Sequence, residues 1–304
     1  MIIDKDIYER VVRKREELDA LRPLPRTALE RLRKQFAIEL AYNSNAIEGN
    51  TLTLRETRLV IEEGITIKGK PLREHLEATN HQKAFDFLVR IVNAKTPITQ
   101  HTIKDIHRII LTGIDDDYAG RYRDVNVRIL GEIKSPPRFE KVPKKMNDYI
   151  NYINNNPEKL NVIELAAIIH YRFVEIHPFT DGNGRCARLL MNLFLMRHGY
   201  PVTMVLKVDR KKYYDRLKEA DNGDVKPFVY FIGRNVERSL DLYLDVFKKG
   251  PKYISLAAAS KDSPYSQEYL SLLARRGRIE VIKLGRNWFI KKEAIKKYIK
   301  SKKK

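Results

Sequence analysis

Apolar positions along the chain recur mostly at helical spacing, with Gly and Pro punctuating the runs. Residues 4–22 read as a charged surface helix that breaks at Leu21-Arg22-Pro23-Leu24-Pro25. Leu29, Leu32, Phe36, Ile38, Leu40 and Ala41 predict a second helix from Thr27 to about Ile47, stopped by Gly49 and Asn50. Thr53-Leu54-Arg55-Glu56 has capping-box spacing and opens a short helix that Gly64 closes. Two further helices are predicted over 71–93 and 99–112. The period then changes. Val125, Val127 and Ile129 alternate, turn at Gly131 and stop at Pro136-Pro137, which predicts a β-hairpin in a mostly helical chain. Asp115-Asp116-Asp117 reads as a solvated loop. Val162 to Val174 is an apolar run too long for a strand, and Leu189, Leu190, Leu193, Phe194 and Met196 follow at helical spacing until Gly199-Tyr200-Pro201. Asp209 to Tyr214 opens another helix, and one over about 226–248 ends at Lys249-Gly250-Pro251.

Beyond that break, Tyr265 to Ile279 predicts a helix, a Gly turn and a second element. Val281 to Ile290 predicts a two-stranded wing turning near Gly285-Arg286-Asn287, and a last helix starts at Lys292. Charge changes the picture here. Of a net +20 over 304 residues, the segment from Pro251 to Lys304 holds 15 Lys and Arg against 4 Asp and Glu. That density predicts a polyanionic partner, with nucleic acid the leading candidate. No apolar run reaches the roughly 18 residues of a membrane span, and Met1 to Asp6 is no secretory signal. The one cysteine, Cys186, excludes an internal disulfide and reads as a small core residue, so a cytoplasmic protein without membrane contact is expected.

The chemistry concentrates in His177-Pro178-Phe179-Thr180-Asp181-Gly182-Asn183-Gly184-Arg185-Cys186-Ala187-Arg188, between two predicted helices. Gly182 and Gly184 let backbone N–H groups turn towards one point at a helix start, where free donors and the dipole favour an anion. Arg185 and Arg188, three apart, can project from one side of the first turn. Neutral His177 can accept a proton near pH 7, and Asp181 can hold Mg²⁺ through oxygen. The sum is a polyphosphate site with a metal and a base beside it.

This stretch resembles the Fic family signature, His-x-Phe-x-(Asp/Glu)-Gly-Asn-Gly-Arg-x-x-Arg, and fills all its fixed positions. The resemblance implies an all-helical core with a β-hairpin flap that moves AMP from Mg-ATP to a Ser, Thr or Tyr hydroxyl of a protein, the chain itself included. His177 would be the base and Asp181 the Mg²⁺ ligand. Gly182, Asn183 and Gly184 would cradle the phosphates, with Arg185 and Arg188 on the outer ones. Gly184, where kinase-type relatives carry Lys, favours AMP transfer. Ser44 to Asn50 resembles the family's inhibitory motif, (Ser/Thr)-x-x-x-Glu-(Gly/Asn), which places Glu48 on Arg188 and gives Ser44 the other fixed position. In some relatives this glutamate also helps remove AMP. The hairpin resembles the Fic flap, and Gly131, Glu132, Ile133 and Lys134 are its candidate nucleotide or target contacts. Tyr213, Tyr214 and Asp221 match the region that lines the adenosine pocket in relatives, although Asp221 stands where many have Asn.

The C-terminal segment resembles small winged-helix domains that bind DNA, which makes Arg275, Arg276, Arg278, Lys283 and Arg286 its candidate contacts. A basic protein-docking module is the competing reading. Three regions follow: 1–95 with the inhibitory helix at about 27–50, a catalytic core over 96–250 with its flap at about 120–143, and a basic module over 251–304. Relatives also imply a homodimer. The alternative function is a DNA-bound regulator that senses ATP through an inactive Fic site.

Overall fold

Local capping chemistry sets several helix boundaries. The structure, a computed structural model, describes residues 1–24, 26–93, 97–128, 135–247, 253–261, 263–276, 278–279, 281–284, 287–291, 294–295 and 298–299. Helices α1 (Lys5–Asp19), α2 (Arg26–Ile47), α3 (Leu54–Glu63), α4 (Leu72–Asn93) and α5 (Gln100–Leu111) come first. The capping box forms as predicted: Thr53 accepts from the Glu56 amide, Glu56 accepts from the Thr53 amide, and Gly64 ends α3 in the left-handed region at φ 65°. Helix α6 (Val142–Asn155), not among the predicted helices, precedes α7 (Val162–Ile176) and α8 (Asn183–Arg197). Asn161 caps α7, and the Glu164 side chain accepts both from the Asn161 amide and from the Ile3 amide, tying the start of the chain to the start of α7.

Helices α9 (Arg210–Asp221) and α10 (Lys226–Phe247) follow. The chain divides into two compact units: Met1–Arg15 with Leu29–Leu240, and Glu16–Ala28 with Asp241–Lys304. In the first unit, α7 and α8 make the most extensive helix pair and α4 and α5 pack beside them. Nearly every residue of α8 from Asn183 to Leu195 is buried, the mark of a helix enclosed on all sides rather than amphipathic. Among the described residues no helix is long and apolar enough to cross a membrane.

The second unit contains β1 (Tyr253–Ser255), α11 (Leu256–Lys261), α12 (Gln267–Arg275), β2 (Val281–Leu284) and β3 (Asn287–Lys291). The two strands predicted over Val281 to Ile290 are present as β2 and β3, paired antiparallel with Val281 opposite Ile290 and Leu284 opposite Asn287. The pair is widened by β1, which pairs antiparallel with β3 to give the order β1-β3-β2. Leu256, Ala259, Leu270, Leu273, Ala274, Ile279, Ile290 and Ile295 form this unit's own core.

The predicted flap has a different build in its described part. Residues 121–128 and 135–138 carry no strand, and the alternating tip at 129–134 lies outside the described residues. The two arms are instead tied by side chains. Arg123 donates to the carbonyls of Val125 (2.9 Å) and Pro137, and the Phe139 amide donates to Asn126 Oδ1 (3.0 Å). A guanidinium that takes up carbonyls on both arms supplies the closure that a ladder would otherwise give.

Candidate active site

Four elements build the site: the α7–α8 turn, the end of α2, the start of α4, and α9. Helix α7 ends at His177, itself in the left-handed region at φ 49°, and α8 begins after Gly182 at φ 74°. Asn183 fixes the turn between them. Its Oδ1 accepts from the Phe179 amide (3.0 Å) and its Nδ2 donates to the Phe179 carbonyl (2.8 Å), so the side chain expected in a phosphate cradle is spent on holding the loop.

Only one of the two motif glycines is there for its backbone angle. Gly182 needs the left-handed conformation. Gly184 lies in the first turn of α8, and a Cβ there would come 2.3 Å from Glu48 Oε1 and 3.2 Å from Arg188 Nη1. Its requirement is space for the carboxylate of another helix.

His177 is partly buried. Its Nδ1 lies 3.3 Å from the Val174 carbonyl, which can only accept, so Nδ1 carries the proton and Nε2 keeps its lone pair. Burial pushes its pKa down to about 4, with Arg123 adding to the drop while Glu48 and Asp181 oppose it. The imidazole is therefore neutral at pH 7. Arg123 was not singled out from the sequence, yet its Nε donates to the His177 carbonyl (2.9 Å) and its amide to the Pro178 carbonyl (2.9 Å).

Arg188 is the most constrained side chain of the site. It is 2% exposed, and its guanidinium donates to Ser44 Oγ (3.0 Å), the Ser44 carbonyl (2.9 Å), Glu48 Oε1 (2.7 Å) and Tyr213 Oη (3.4 Å). Burial would lower its pKa, but Glu48 and the neighbouring tyrosines more than reverse this and raise it. Ser44 and Glu48 thus meet the residue that the resemblance implied. The end of α2 is anchored on the far side as well, where Arg210 Nε donates to the Ile47 carbonyl (2.7 Å).

The two tyrosines part company. Tyr213 is buried, with Oη accepting from Arg188 and lying 3.1 Å from His170 Nε2. It supports the arginine from below. Tyr214 is 38% exposed, with the Arg210 guanidinium 5.0 Å over its ring; Asp221 is buried at the end of α9. Gly131, Glu132, Ile133 and Lys134 lie outside the described residues.

Asp181 and Arg185 sit in a ring of charges. Asp181 Oδ1 accepts from the Gly182 amide (2.5 Å) and Arg185 Nη2 (3.2 Å), while its Oδ2 accepts from Arg73 on α4. Glu77 closes the ring: its Oε1 lies 3.3 Å from Arg73 Nε and 3.4 Å from Arg185 Nη1. Burial would raise the Asp181 pKa, but Arg185, the Gly182 amide and Arg73 together hold it below the usual carboxylate value. Glu77 Oε2 accepts from Asn50 Nδ2 (2.9 Å), which joins the ring to the segment after Glu48. Both motif arginines are therefore already paired within the chain.

Comparison with known proteins places the site. The sequence model of the Fic/DOC family matches residues 97–195. The solved structure of a Fic domain-containing signaling protein from Bacteroides thetaiotaomicron is 31% identical, with a TM-score of 0.73 over 79% of this chain and 97% of that one. The chain belongs to the Fic/DOC family. The Fic-1 fragment from C. elegans is 36% identical, with a TM-score of 0.71 over 79% of this chain and 72% of that one. Protein adenylyltransferase Fic of Nematostella vectensis is 38% identical over 244 residues, 80% of this chain and 56% of that protein. The chain spans about half the length of the curated relatives it matches.

Around the Fic turn lie histidines that the motif does not include. His107 stacks on Phe179 at 3.6 Å and 2°; its Nδ1 accepts from the Gly120 amide (2.9 Å), so Nε2–H donates to the Asp181 carbonyl (3.0 Å). It holds the loop from beneath. Burial lowers the pKa of His107 to about 4 and those of His81 and His170 to about 3, with Arg188 adding to the drop at the latter two. With His177, four imidazoles bind protons less readily in the folded chain than in the unfolded one, where the value is about 6.5. Between about pH 6.5 and pH 4 the unfolded chain takes up more protons, so stability falls as pH falls through that window. Calorimetry should show the melting midpoint of the first unit dropping between pH 7 and pH 5, above the range where most carboxylates titrate. A midpoint constant over that interval would contradict the neutral, buried assignment.

Proposed function

We propose that the chain is a protein adenylyltransferase that moves AMP from Mg-ATP to a Ser, Thr or Tyr hydroxyl and is held inactive by Glu48. The observation that carries the reading is the Glu48–Arg188 pair at 2.7 Å inside a complete Fic turn. A neutral His177 with a free Nε2 lone pair suits removal of the hydroxyl proton. The target oxygen then bonds to the α-phosphorus as the bond to the pyrophosphate oxygen breaks. Backbone N–H groups at the start of α8 would receive the phosphates, and Arg188 their outermost charge. Tyr214 is the proposed face for the adenine, with Tyr213 positioning Arg188.

Asp181 fits a divalent cation: it is a hard oxygen donor, its side chain is 42% exposed, and phosphate and water oxygens would complete the shell. Bound there, Mg²⁺ would neutralise charge on the phosphates. Glu48 opposes the reaction because a guanidinium committed to a carboxylate cannot orient a γ-phosphate, and in-line attack needs that orientation. The position that Glu48 occupies beside the phosphate cradle is equally suited to water-assisted removal of AMP.

The second unit supports a further reading, a DNA contact. Arg275, Arg276 and Arg278 are exposed at and beyond the end of α12, in a unit that also holds a small antiparallel sheet. Lys283 and Arg286 remain proposed wing contacts on charge alone. A protein-docking role uses the same surface. Fluorescence anisotropy with duplex DNA separates them: DNA binding requires an affinity that falls steeply with salt and weakens in the Arg275/Arg276/Arg278→Ala variant. No binding at low salt would leave protein docking.

Transfer is tested with ATP labelled on the α-phosphate. Glu48→Gly should raise labelling of protein by about ten- to a hundredfold over wild type, the scale of freeing one charge-assisted contact in the transition state. His177→Ala in the Glu48→Gly background should abolish it. Equal labelling by wild type and Glu48→Gly would contradict self-inhibition. Label from γ-labelled ATP alone would contradict AMP transfer.

A further inference from the structure

Asp181 is paired more heavily than a carboxylate awaiting a metal should be. One of its oxygens, Oδ1, is used by the turn itself, through the Gly182 amide and Arg185. The other, Oδ2, is the oxygen left for an incoming cation, and Arg73 occupies it. Arg73 is unlike the other arginines here. Arg185 and Arg188 are each 2% exposed and locked by partners on two elements, whereas the Arg73 side chain is 57% exposed and stands in the first turn of α4. It also has a second carboxylate to turn to, since its Nε already lies 3.3 Å from Glu77 Oε1.

A guanidinium and a divalent cation compete for one carboxylate oxygen. Both need its lone pairs, and their charges repel. Each must therefore weaken the other by the same factor. We propose that Arg73 is a built-in competitor of the divalent cation at Asp181, a positioning residue that sets the metal concentration at which the site loads. The proposal rests on the reading of Asp181 as the metal-holding residue. The size of the effect follows from exposure: a half-exposed pair with a ready alternative partner is a weak lock, so release shifts metal affinity several-fold, not by orders of magnitude.

The two internal pairs then act on different parts of the substrate complex. Glu48 holds the arginine meant for the outer phosphates, and Arg73 holds the carboxylate meant for the metal. They are different pairs on different helices, α2 and α4, so relief of one leaves the other in place. Asn50, which bonds Glu77, is the bridge between them, but it touches neither Arg73 nor Asp181.

The test uses the full chain without nucleotide and Mn²⁺ as the probe, with free aquo-Mn²⁺ followed by electron paramagnetic resonance. Arg73→Met should tighten Mn²⁺ binding by about three- to tenfold, and by the same factor in a Glu48→Gly background. Arg73→Lys should stay near wild type. Lys70→Met is the control for charge acting through space: that cation bonds Thr51 and does not touch Asp181, so its removal should change affinity by less than about twofold. Asp181→Asn should abolish the site. Unchanged or weaker binding in Arg73→Met, with Asp181→Asn still abolishing it, would overturn the competition. So would a Lys70→Met effect as large as that of Arg73→Met. Mn²⁺ binding that survives Asp181→Asn would overturn the metal assignment itself. Because no transfer is measured, neither outcome depends on whether AMP moves.

Discussion

A guanidinium that is 2% exposed must be satisfied by the chain around it, and the site is built to satisfy Arg188. A charge so deeply placed is tolerated only where hydrogen bonds and an opposite charge replace water. Ser44 supplies two acceptors, Tyr213 a third, and Glu48 the counter-charge. Much of the local structure follows. Helix α2 must end where Glu48 can reach into the first turn of α8, and Arg210 fixes that end. A side chain at Gly184 would have to displace the Glu48 carboxylate, which occupies the space where a Cβ would be. Tyr213 must be buried, since its hydroxyl is needed under the arginine.

The proposed function would place regulation and chemistry on one residue. The cation that would steady the outer phosphates of ATP is, without nucleotide, stabilised by a carboxylate of the same chain. Under the proposed function, ATP and Glu48 would be alternative partners for one buried charge, and inhibition would be a competition and not a distortion of the site. His177 is held by Val174 and Arg123 and stays neutral, although the Glu48 charge opposes the fall in its pKa. The Asp181 ring repeats the arrangement at a more exposed position, where the balance is looser.

What the sequence revealed and what it hid divide along physical lines. Features fixed by neighbours in the chain were legible: the Thr53–Glu56 capping box, Gly182 in the left-handed region, the α7 and α8 helices, and the β2–β3 strand pair. The Fic turn was legible because its chemistry is contiguous. Glu48 was found only because its motif is itself short and local. Residues whose roles depend on distant elements were hidden. Arg73, Glu77, His107 and Arg123 come from elements that meet the turn only in space, and nothing in their spacing marks them. The glycine rule misled at Gly184, where a packing need produces the same residue as a backbone need. Alternation at Val125 and Val127 suggested a strand, but the described arms of that loop are joined by the Arg123 guanidinium and not by a ladder. Helix α6 went unread although its buried positions, Val142, Met146, Tyr149, Tyr152 and Ile153, recur at helical spacing.

The central claim is that Glu48 competes for the outer phosphates alone. Calorimetric titration of wild type and Glu48→Gln with ATP and with AMP, each in Mg²⁺, tests it most directly, because AMP has no phosphate to place on Arg188. The account predicts that Glu48→Gln, which keeps the shape and removes the charge, tightens ATP by about three- to thirtyfold and leaves AMP within about twofold. The same gain for both nucleotides, or none for either, would contradict it.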